Sequence, residues 1–338
     1  MEMSSKLPGK IFDSMMTNLY IFNNMIEWMI RSTTMKRLLV TGASGLVGGY
    51  LIQQADDLWE IHGTYHKHPV AFNNAEMHCV SMLNEQSIVQ CVRSIKPEVI
   101  IHTAAWTDVN ACERDPQLAY DINAEATAVI AREASRMGAR MISLSSDMVF
   151  DGRKGLYVES DPVHPLNHYG ITKLAGEKYV LDSVPSSVVA RVALIYGKPL
   201  GEGNSFSERI LQKIRKGDPV YLYTDQYRSP VWVADLSRAL LELANHEFCG
   251  IIHLGGADRV DRYQFGLLLV KKEGFSPDCL YPVSMFDSQT AAERPQDVSF
   301  CIRQAQSILK TKLVGYREGI NHMYRKFNRN DKKYLKSE

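Results

Sequence analysis

A tyrosine and a lysine stand four residues apart in the segment "NHYGITKLAGEKYV", at Tyr169 and Lys173. On a helix this spacing places both side chains on one face. A phenol with a pKa of about 10 becomes a useful acid or base near neutral pH when an adjacent ammonium favours its ionised form. Upstream, Ser146 ends the run "RMISLSS" and could donate a hydrogen bond to a substrate carbonyl. Ser146, Tyr169 and Lys173 are therefore the predicted catalytic residues, and they predict proton transfer to a carbonyl oxygen.

A glycine-rich turn follows the first strongly apolar run, in "LVTGASGLVGGYL". Gly42, Gly45 and Gly48 are spaced three apart between a predicted strand and a predicted helix. The first would permit the tight turn, the second would let the backbone approach a pyrophosphate, and the third would let the helix pack close to the strand. The start of the helix would also offer free N–H groups to phosphates. A dinucleotide is predicted to bind at this turn, on Gly42, Ser44, Gly45, Leu46, Val47 and Gly48.

The end of the second predicted strand, in "EIHGTYHKHPV", carries no acidic residue. An acid at that place would bind a free ribose 2′-hydroxyl and repel a 2′-phosphate. Its absence favours NADP(H) as the cofactor and leaves NAD(H) open. His66 and Lys67 are the candidate contacts for the 2′-phosphate.

Further residues are predicted to lie around the cofactor. Ala104 and Ala105 in "HTAA" would leave room for it beside the fourth strand, and Asn123 in "INA" would support the site through backbone hydrogen bonds. Lys173 could hydrogen-bond the nicotinamide ribose and so hold the cofactor next to Tyr169. In the reducing direction a hydride would pass to a carbonyl carbon while the phenol delivers a proton to the oxygen.

The elements that must position these residues alternate from Lys36 onward between short apolar runs and longer amphipathic segments. This alternation predicts an α/β fold with a doubly wound parallel sheet of the Rossmann type. Residues 35–195 are predicted to form the dinucleotide-binding domain. Residues 196–338, where Gly, Pro and Tyr become frequent, are predicted to form mainly a smaller substrate-binding lobe, with 229–256 returning to the sheet. The strand candidates are "RLLVTG", "EIHGTYH", "EMHCVSM", "EVIIHTAA", "RMISLSS", "SSVVARVALIYG" and "GIIHLGG".

Composition limits the function classes. The chain has 338 residues, 45% of them hydrophobic, and a formal net charge of +1, so it has no broad basic field for nucleic acid. Its six cysteines form no CxxC pair, which argues against a disulfide framework and against a zinc site. We therefore expect a cytoplasmic protein without a bound metal, without nucleic-acid partners and without a membrane partner.

Residues 1–34 contain an apolar stretch, but Asp13, Asn18, Asn23, Asn24 and Glu27 interrupt it. A membrane span needs about 20 mostly apolar residues. We expect this segment to be a poorly ordered extension, with the folded protein beginning near Met35.

Five segments together resemble the dTDP-4-dehydrorhamnose reductase family, a sugar-nucleotide branch of the extended short-chain dehydrogenase/reductase superfamily. They are "HTAAWTDVNACERDPQLAYDINA", "SSDMVFDG", "YGITKLAGE", "DQYRSPVWVADLSRAL" and "ERPQDVSF". The resemblance covers about residues 36–325. It implies NAD(P)H-dependent reduction of the 4-keto group of a nucleotide-activated 6-deoxyhexose, with Ser146, Tyr169 and Lys173 in the catalytic positions and a nucleotide sugar as substrate.

Three positions depart from the family pattern. Met148 replaces the tyrosine usual in "SSDMVFDG", and Ser81 replaces an acid expected to meet the adenine. Arg228 stands where glycine is common, and could contact a diphosphate or form an internal salt bridge. Arg294 in "ERPQD" is the other candidate anion ligand. The predicted substrate-binding residues are therefore Ser146, Met148, Arg228 and Arg294.

Two other functions stay open. The same branch resembles the β subunit of methionine adenosyltransferase, which implies a non-catalytic regulatory subunit that keeps the nucleotide pocket. A reductase of a different activated sugar or of a small carbonyl compound is the third possibility. A homodimer is also compatible with the resemblance.

Overall fold

The computed structural model describes residues 35–200, 204–287 and 291–324. Residues 1–34, for which the sequence predicts an extension, lie outside the described part. In chain order the strands are β1 (Lys36–Thr41), β2 (Trp59–Tyr65), β3 (Ala75–Cys79), β4 (Val99–His102), β5 (Arg140–Ser146), β6 (Val188–Val192), β7 (Ile195–Tyr196), β8 (Val220–Tyr223), β9 (Tyr227–Arg228), β10 (Val231–Trp232), β11 (Gly250–Leu254), β12 (Val260–Asp261) and β13 (Leu280–Val283).

Seven of these strands form one parallel sheet in the order β11-β6-β5-β4-β1-β2-β3. The order reverses between β1 and β4, which is the place where ligands bind in doubly wound sheets. The predicted Rossmann-type α/β fold is thus confirmed. The run "SSVVARVALIYG" is divided between β6 in this sheet and β7, which pairs with β10 instead.

Helices connect the strands and cover both faces of the sheet. They are α1 (Leu46–Gln54), α2 (Glu85–Ile95), α3 (Val109–Arg114), α4 (Pro116–Tyr120), α5 (Ala126–Met137), α6 (His168–Ser183), α7 (Phe206–Arg215), α8 (Val233–Ala244), α9 (Arg262–Glu273), α10 (Arg303–Ile308) and α11 (Tyr316–Tyr324). Within the described ranges, none of these helices is both long and apolar enough to cross a membrane.

The apolar side chains of β1 alternate between two cores because successive residues of a strand point to opposite faces. Leu38 and Val40 pack in one cluster with residues of α1 and α8. Leu39 packs in the other cluster with residues of α2 and α5. Burying both faces of a parallel sheet leaves its functional groups at the strand ends, where the connecting loops emerge.

The second half of the chain builds three small two-stranded sheets, β7 with β10, β8 with β13, and β9 with β12. It also returns to the main sheet, because β11 pairs with β6 in parallel register from Gly250 to Leu254. The later part of the chain therefore both completes the central sheet and adds the elements beyond the carboxyl ends of its strands.

Candidate active site

The glycine turn lies at the carboxyl end of β1 and leaves no room for side chains. Gly42 has a φ of +70°, and a Cβ on it would lie 2.9 Å from the backbone of Ala104. A Cβ on Gly48 would lie 2.4 Å from the carbonyl oxygen of Gly42. Gly42 therefore needs the left-handed conformation that glycine adopts readily, and Gly48 allows α1 to start directly against the turn.

Helix α1 begins after Gly45, and no side chain caps its N-terminus. Gly45 is exposed, Ser44 and Leu46 are half-buried, and Val47 is buried. An uncapped helix start presents N–H groups and a partial positive charge to an anion. The six residues predicted from the glycine spacing thus form one turn, and the helix start within it offers N–H groups to an anion.

The end of β2 lies beside this turn because β1 and β2 are parallel neighbours. The Ala43 N–H donates to the Thr64 carbonyl over 2.7 Å, and the Gly42 N–H donates to Thr64 Oγ1 over 3.2 Å. His66 and Lys67 follow Tyr65 and are exposed at the same edge. Both predicted 2′-phosphate contacts are therefore at the edge of the sheet that holds the glycine turn.

The end of β4 supplies the opposite side of the turn. Thr41 Oγ1 accepts a hydrogen bond from the Ala104 N–H over 3.3 Å and lies 2.7 Å from His102 Nδ1. His102 is buried, and burial lowers its pKa to about 3, with a smaller effect from the charge of Lys173. The imidazole is therefore neutral. Ala104 and Ala105 follow it and are half-buried.

Asn123 lies in a single π-helical turn, Asp121–Glu125, directly before α5. Its side-chain oxygen accepts from the Trp106 N–H over 2.8 Å, and its amide donates to the Trp106 carbonyl and to Thr172 Oγ1, both over 3.1 Å. The side chain thus joins the loop after β4 to the helix that carries Tyr169. Insertions of this kind are frequent at functional sites.

Ser146 ends β5 and is buried. Its hydroxyl donates to Asp147 Oδ1 over 3.1 Å and accepts from the Met148 N–H over 3.2 Å. The Tyr169 phenol interacts with the same hydroxyl. Met148 is itself buried, and its carbonyl oxygen lies 2.3 Å from where a Cβ on Gly170 would stand. The serine strand and the tyrosine helix therefore meet at close range.

Helix α6 begins at His168 behind the side-chain cap of Asn167, so Tyr169 lies in its first turn and Lys173 in the second. Their spacing predicted that the lysine charge would favour the ionised phenol. That effect stays a prediction. In this structure burial raises the pKa of Tyr169 well above its usual value, the hydrogen bond with Ser146 lowers it, and nearby Asp147 and Cys112 raise it further. The charge of Lys173 also lowers the pKa of His102, and Glu177 attracts it.

The Lys173 ammonium is buried, and burial lowers its pKa to about 8, opposed by the attraction of Glu177. Within residues 35–200, 204–287 and 291–324 no group accepts a hydrogen bond from its Nζ. An ammonium has three donors. A ligand with hydroxyl groups, such as a ribose, fits this unmet capacity.

Behind Lys173 lies a buried ion pair that the sequence did not reveal. Arg191 of β6 donates to both oxygens of Glu177, Nε to Oε1 over 2.9 Å and Nη2 to Oε2 over 2.8 Å. The Ser145 hydroxyl donates to the same carboxylate over 2.5 Å. Glu177 lies one turn after Lys173 on α6. Its hydrogen bonds with Arg191 of β6 and Ser145 of β5 therefore hold this helix against both strands.

Arg228 is buried, and its guanidinium is used inside the protein. Nη1 donates to the carbonyls of Tyr227 and Gln296 over 2.6 and 3.3 Å, and Nη2 donates to that of Pro295 over 3.1 Å. Its Nε lies 3.7 Å from Asp147 Oδ2. Of the two roles left open for this arginine, the structure shows the internal salt bridge.

Three other arginines, Arg209, Arg262 and Arg294, come from separate segments after residue 204 and lie near one another. Arg262 begins α9, and burial together with the nearby charges of Arg228, Arg209 and Arg294 lowers its pKa. Arg294 donates to Asn110 Oδ1 over 3.0 Å and to the Ala292 carbonyl over 3.1 Å. Mutual repulsion among cations is relieved by an anion. Of the three, only Arg294 could be predicted from the sequence as an anion ligand, since Arg209 and Arg262 come from separate elements without a local motif.

Ser81, which replaces the expected acid after β3, is half-buried and makes only local contacts. Its hydroxyl accepts from the Leu83 N–H over 3.3 Å, and its carbonyl accepts from the Asn84 N–H over 3.1 Å. The residue thus shapes the turn into α2.

Comparison with known proteins decides the family. The model of the RmlD substrate binding domain family matches residues 35–329. The chain belongs to this family. A dTDP-4-dehydrorhamnose reductase of Aggregatibacter actinomycetemcomitans is 30% identical over 268 residues, covering 77% of this chain and 87% of that protein. Methionine adenosyltransferase 2 subunit beta of Danio rerio is 28% identical over 275 residues, covering 78% and 82%.

Solved structures support the same family assignment. The dTDP-4-dehydrorhamnose reductase of Bacillus anthracis in complex with NADP superposes with a TM-score of 0.77 at 26% identity, covering 86% of this chain and 99% of that one. Such relatives place the chain among the NAD(P)H-dependent oxidoreductases of the extended short-chain dehydrogenase/reductase type.

Proposed function

We propose that the protein uses NADPH to reduce the 4-keto group of a nucleotide-activated 6-deoxyhexose. The observation that carries the proposal is the meeting of three groups at one edge of the sheet. These are the Ser146–Tyr169 pair, the Lys173 ammonium without a hydrogen-bond acceptor, and the uncapped glycine turn. Together they combine a proton donor with a dinucleotide site, as carbonyl reduction requires.

The residues present fit NADPH. Gly42 and Gly48 let the turn pack against Ala104 and let α1 start directly after it, and Lys173 has donors to offer a ribose. The turn and the start of α1 would hold the pyrophosphate, and His66 and Lys67 would hold the 2′-phosphate. When bound, NADPH supplies the hydride.

Tyr169 would deliver the proton. Its raised pKa keeps the phenol protonated at neutral pH, which suits a general acid in the reducing direction. The proton would go to the oxygen that was the carbonyl, and Ser146 would donate a hydrogen bond to that oxygen as negative charge develops on it. Lys173 would supply positive charge when the phenolate forms, because an ammonium close to the site favours the ionised phenol.

The nucleotide part of the substrate would lie against the arginines of the second lobe. The charges of Arg209 and Arg294 lower the pKa of the Arg262 guanidinium, and two phosphates would relieve that repulsion. This assignment keeps Arg294 as a substrate contact and adds Arg209 and Arg262, while Arg228 orders the pocket from within. The buried Met148 would contact the sugar at the position where the family usually has tyrosine.

The test is NADPH oxidation against a panel of nucleotide 4-keto sugars, with identification of the product. Tyr169→Phe should lower turnover by a factor of about 10² to 10⁴ with NADPH affinity nearly unchanged. Tyr179→Phe is the matched control, because this tyrosine lies on the same helix and its hydroxyl contacts Tyr120 and Glu125 instead. Arg209→Ala should raise KM for the nucleotide sugar by about 10-fold without changing NADPH affinity.

A second candidate is a regulatory subunit, favoured by the similarity to the methionine adenosyltransferase β subunit and by Met148. Such a subunit would bind NADPH yet reduce no sugar on the panel, and Tyr169→Phe would change nothing measurable. That outcome refutes the reductase proposal. Turnover of small carbonyl compounds with no activity on nucleotide sugars would refute only the substrate class.

A further inference from the structure

Two adjacent strands at the outer edge of the sheet carry a row of ligand-type side chains outside the candidate active site. In the parallel register of β2 and β3, Glu76 stands opposite His62 and His78 stands opposite Thr64. Residues two apart on a strand point to the same face. Glu60, His62, Glu76 and His78 therefore share one face of this edge, the face on which Leu39 packs against α2.

Their donor atoms converge. His62 Nδ1 lies 3.1 Å from His78 Nε2 and 3.7 Å from a carboxylate oxygen of Glu76, whose other oxygen lies 4.0 Å from His78 Nε2. Two nitrogens bound to one zinc ion at about 2.0–2.1 Å lie about 3.3 Å apart in tetrahedral geometry. The spacing of the two imidazole nitrogens is close to that separation without any rearrangement of the strands.

Glu60 fixes the orientation of the buried histidine. Its Oε1 lies 3.3 Å from His62 Nε2, the ring nitrogen that faces away from His78. A proton held between Nε2 and this carboxylate leaves Nδ1 with its lone pair toward His78 and Glu76. Histidines that bind metals nearly always donate their other ring N–H to such a partner. The contact between Glu60 and His62 is a separate observation from the short distances among His62, Glu76 and His78.

The site is open on one side. His62 is buried, His78 is half-buried, and the Glu76 side chain is 70% exposed. Because β3 is the last strand of the sheet, an ion reaches the three side chains from solvent. Among the described residues only these three donors group closely enough to share an ion, which leaves the fourth tetrahedral position to water.

We propose that His62, Glu76 and His78 bind one divalent metal ion, with Glu60 as the residue that orients His62. Two imidazoles and one carboxylate suit Zn²⁺ best. The prediction of no zinc site from the sequence rested on cysteine spacing, which says nothing about histidines on neighbouring strands.

The experiment uses the full chain, stripped with a chelator and titrated with Zn²⁺ alone in competition with a chromophoric chelator. Wild-type protein should bind one ion per chain at this site. His78→Gln combined with Glu76→Gln should remove it, and Glu60→Gln should weaken it by about 10- to 100-fold. His164→Gln, at an exposed histidine elsewhere, should have no effect. Substitution with Co²⁺ should give a spectrum without thiolate charge-transfer bands, because no cysteine is a ligand.

Equal Zn²⁺ affinity in wild type and in the His78→Gln, Glu76→Gln variant would overturn the proposal, as would the absence of a bound ion in wild type. The single change Glu76→Gln concerns an exposed side chain, and circular dichroism on each variant verifies the fold. Tyr169→Phe should retain the ion fully, so this result does not depend on the reductase proposal.

Discussion

Replacing Lys173 by methionine should make the fold more stable and NADPH binding weaker. Burial lowers the pKa of Lys173 from 10.5 to about 8. At about 1.4 kcal/mol for each pH unit, holding the ammonium protonated inside the protein costs about 3 kcal/mol. Methionine has a similar length and no charge. Glu177 loses only a secondary partner, since Arg191 binds both of its oxygens.

The dependence on pH has a definite sign. Below pH 8 the folded and unfolded chains both carry the proton on Lys173, so the full cost is present. Between pH 8 and 10.5 the unfolded chain binds the proton and the folded protein has released it, so the free energy of unfolding rises with pH in wild type. The methionine variant lacks this contribution, and the two proteins should converge in stability toward pH 10.5.

Urea unfolding at pH 7, 8.5 and 10 measures the effect, with Lys178→Met as the control at an exposed lysine of the same helix. In thermal unfolding at pH 7 the Lys173 variant should have a Tm roughly 5 °C above that of wild type. NADPH should then stabilise wild type more than the variant, because the variant lacks the ammonium proposed to hydrogen-bond the ribose. A Lys173→Met protein less stable than Lys178→Met at pH 7, or one with the wild-type rise above pH 8, would refute this account of the buried charge.

Other changes test the rest of the site. Lys67→Ala should narrow the difference between the NADPH and NADH dissociation constants, measured by titration, whereas an unchanged ratio would reject the phosphate contact. Arg191→Met should cost about 3–5 kcal/mol in urea unfolding because it leaves Glu177 buried without its partner, and adding Glu177→Gln should restore part of the loss. Gly48→Ala should cost about 1–3 kcal/mol and weaken NADPH binding, since the new Cβ meets the backbone of Gly42.

The alternation of apolar and amphipathic runs was enough to predict the parallel sheet, because each strand buried on both faces leaves a continuous apolar run. It could not predict where "SSVVARVALIYG" divides, since apolar residues continue from Val192 to Tyr196 across the break. The break after Val192 arises because Ile195 and Tyr196 take a different partner strand. A change of pairing leaves no mark in local composition.

In the candidate site, too, only features written in a local stretch of sequence could be predicted. The glycine spacing and the Tyr169–Lys173 pair are local patterns, which is why both could be read from the sequence. The convergence of Arg209 with Arg262, and of His62 with His78, depends on register and on packing between distant segments. The raised pKa of Tyr169 depends on how deeply the phenol is buried, which the four-residue spacing does not determine.

The pairing of β11 with β6 has a consequence for synthesis on the ribosome. All five residues of β6 are buried in the finished sheet, and one edge of that strand is covered by a segment that ends at Leu254. About 60 further residues must be made after β6 before its partner exists, which at roughly 5–20 residues per second takes about 3–12 seconds. During that interval the unpaired N–H and C=O groups along one edge of β6 are open to strands of other chains.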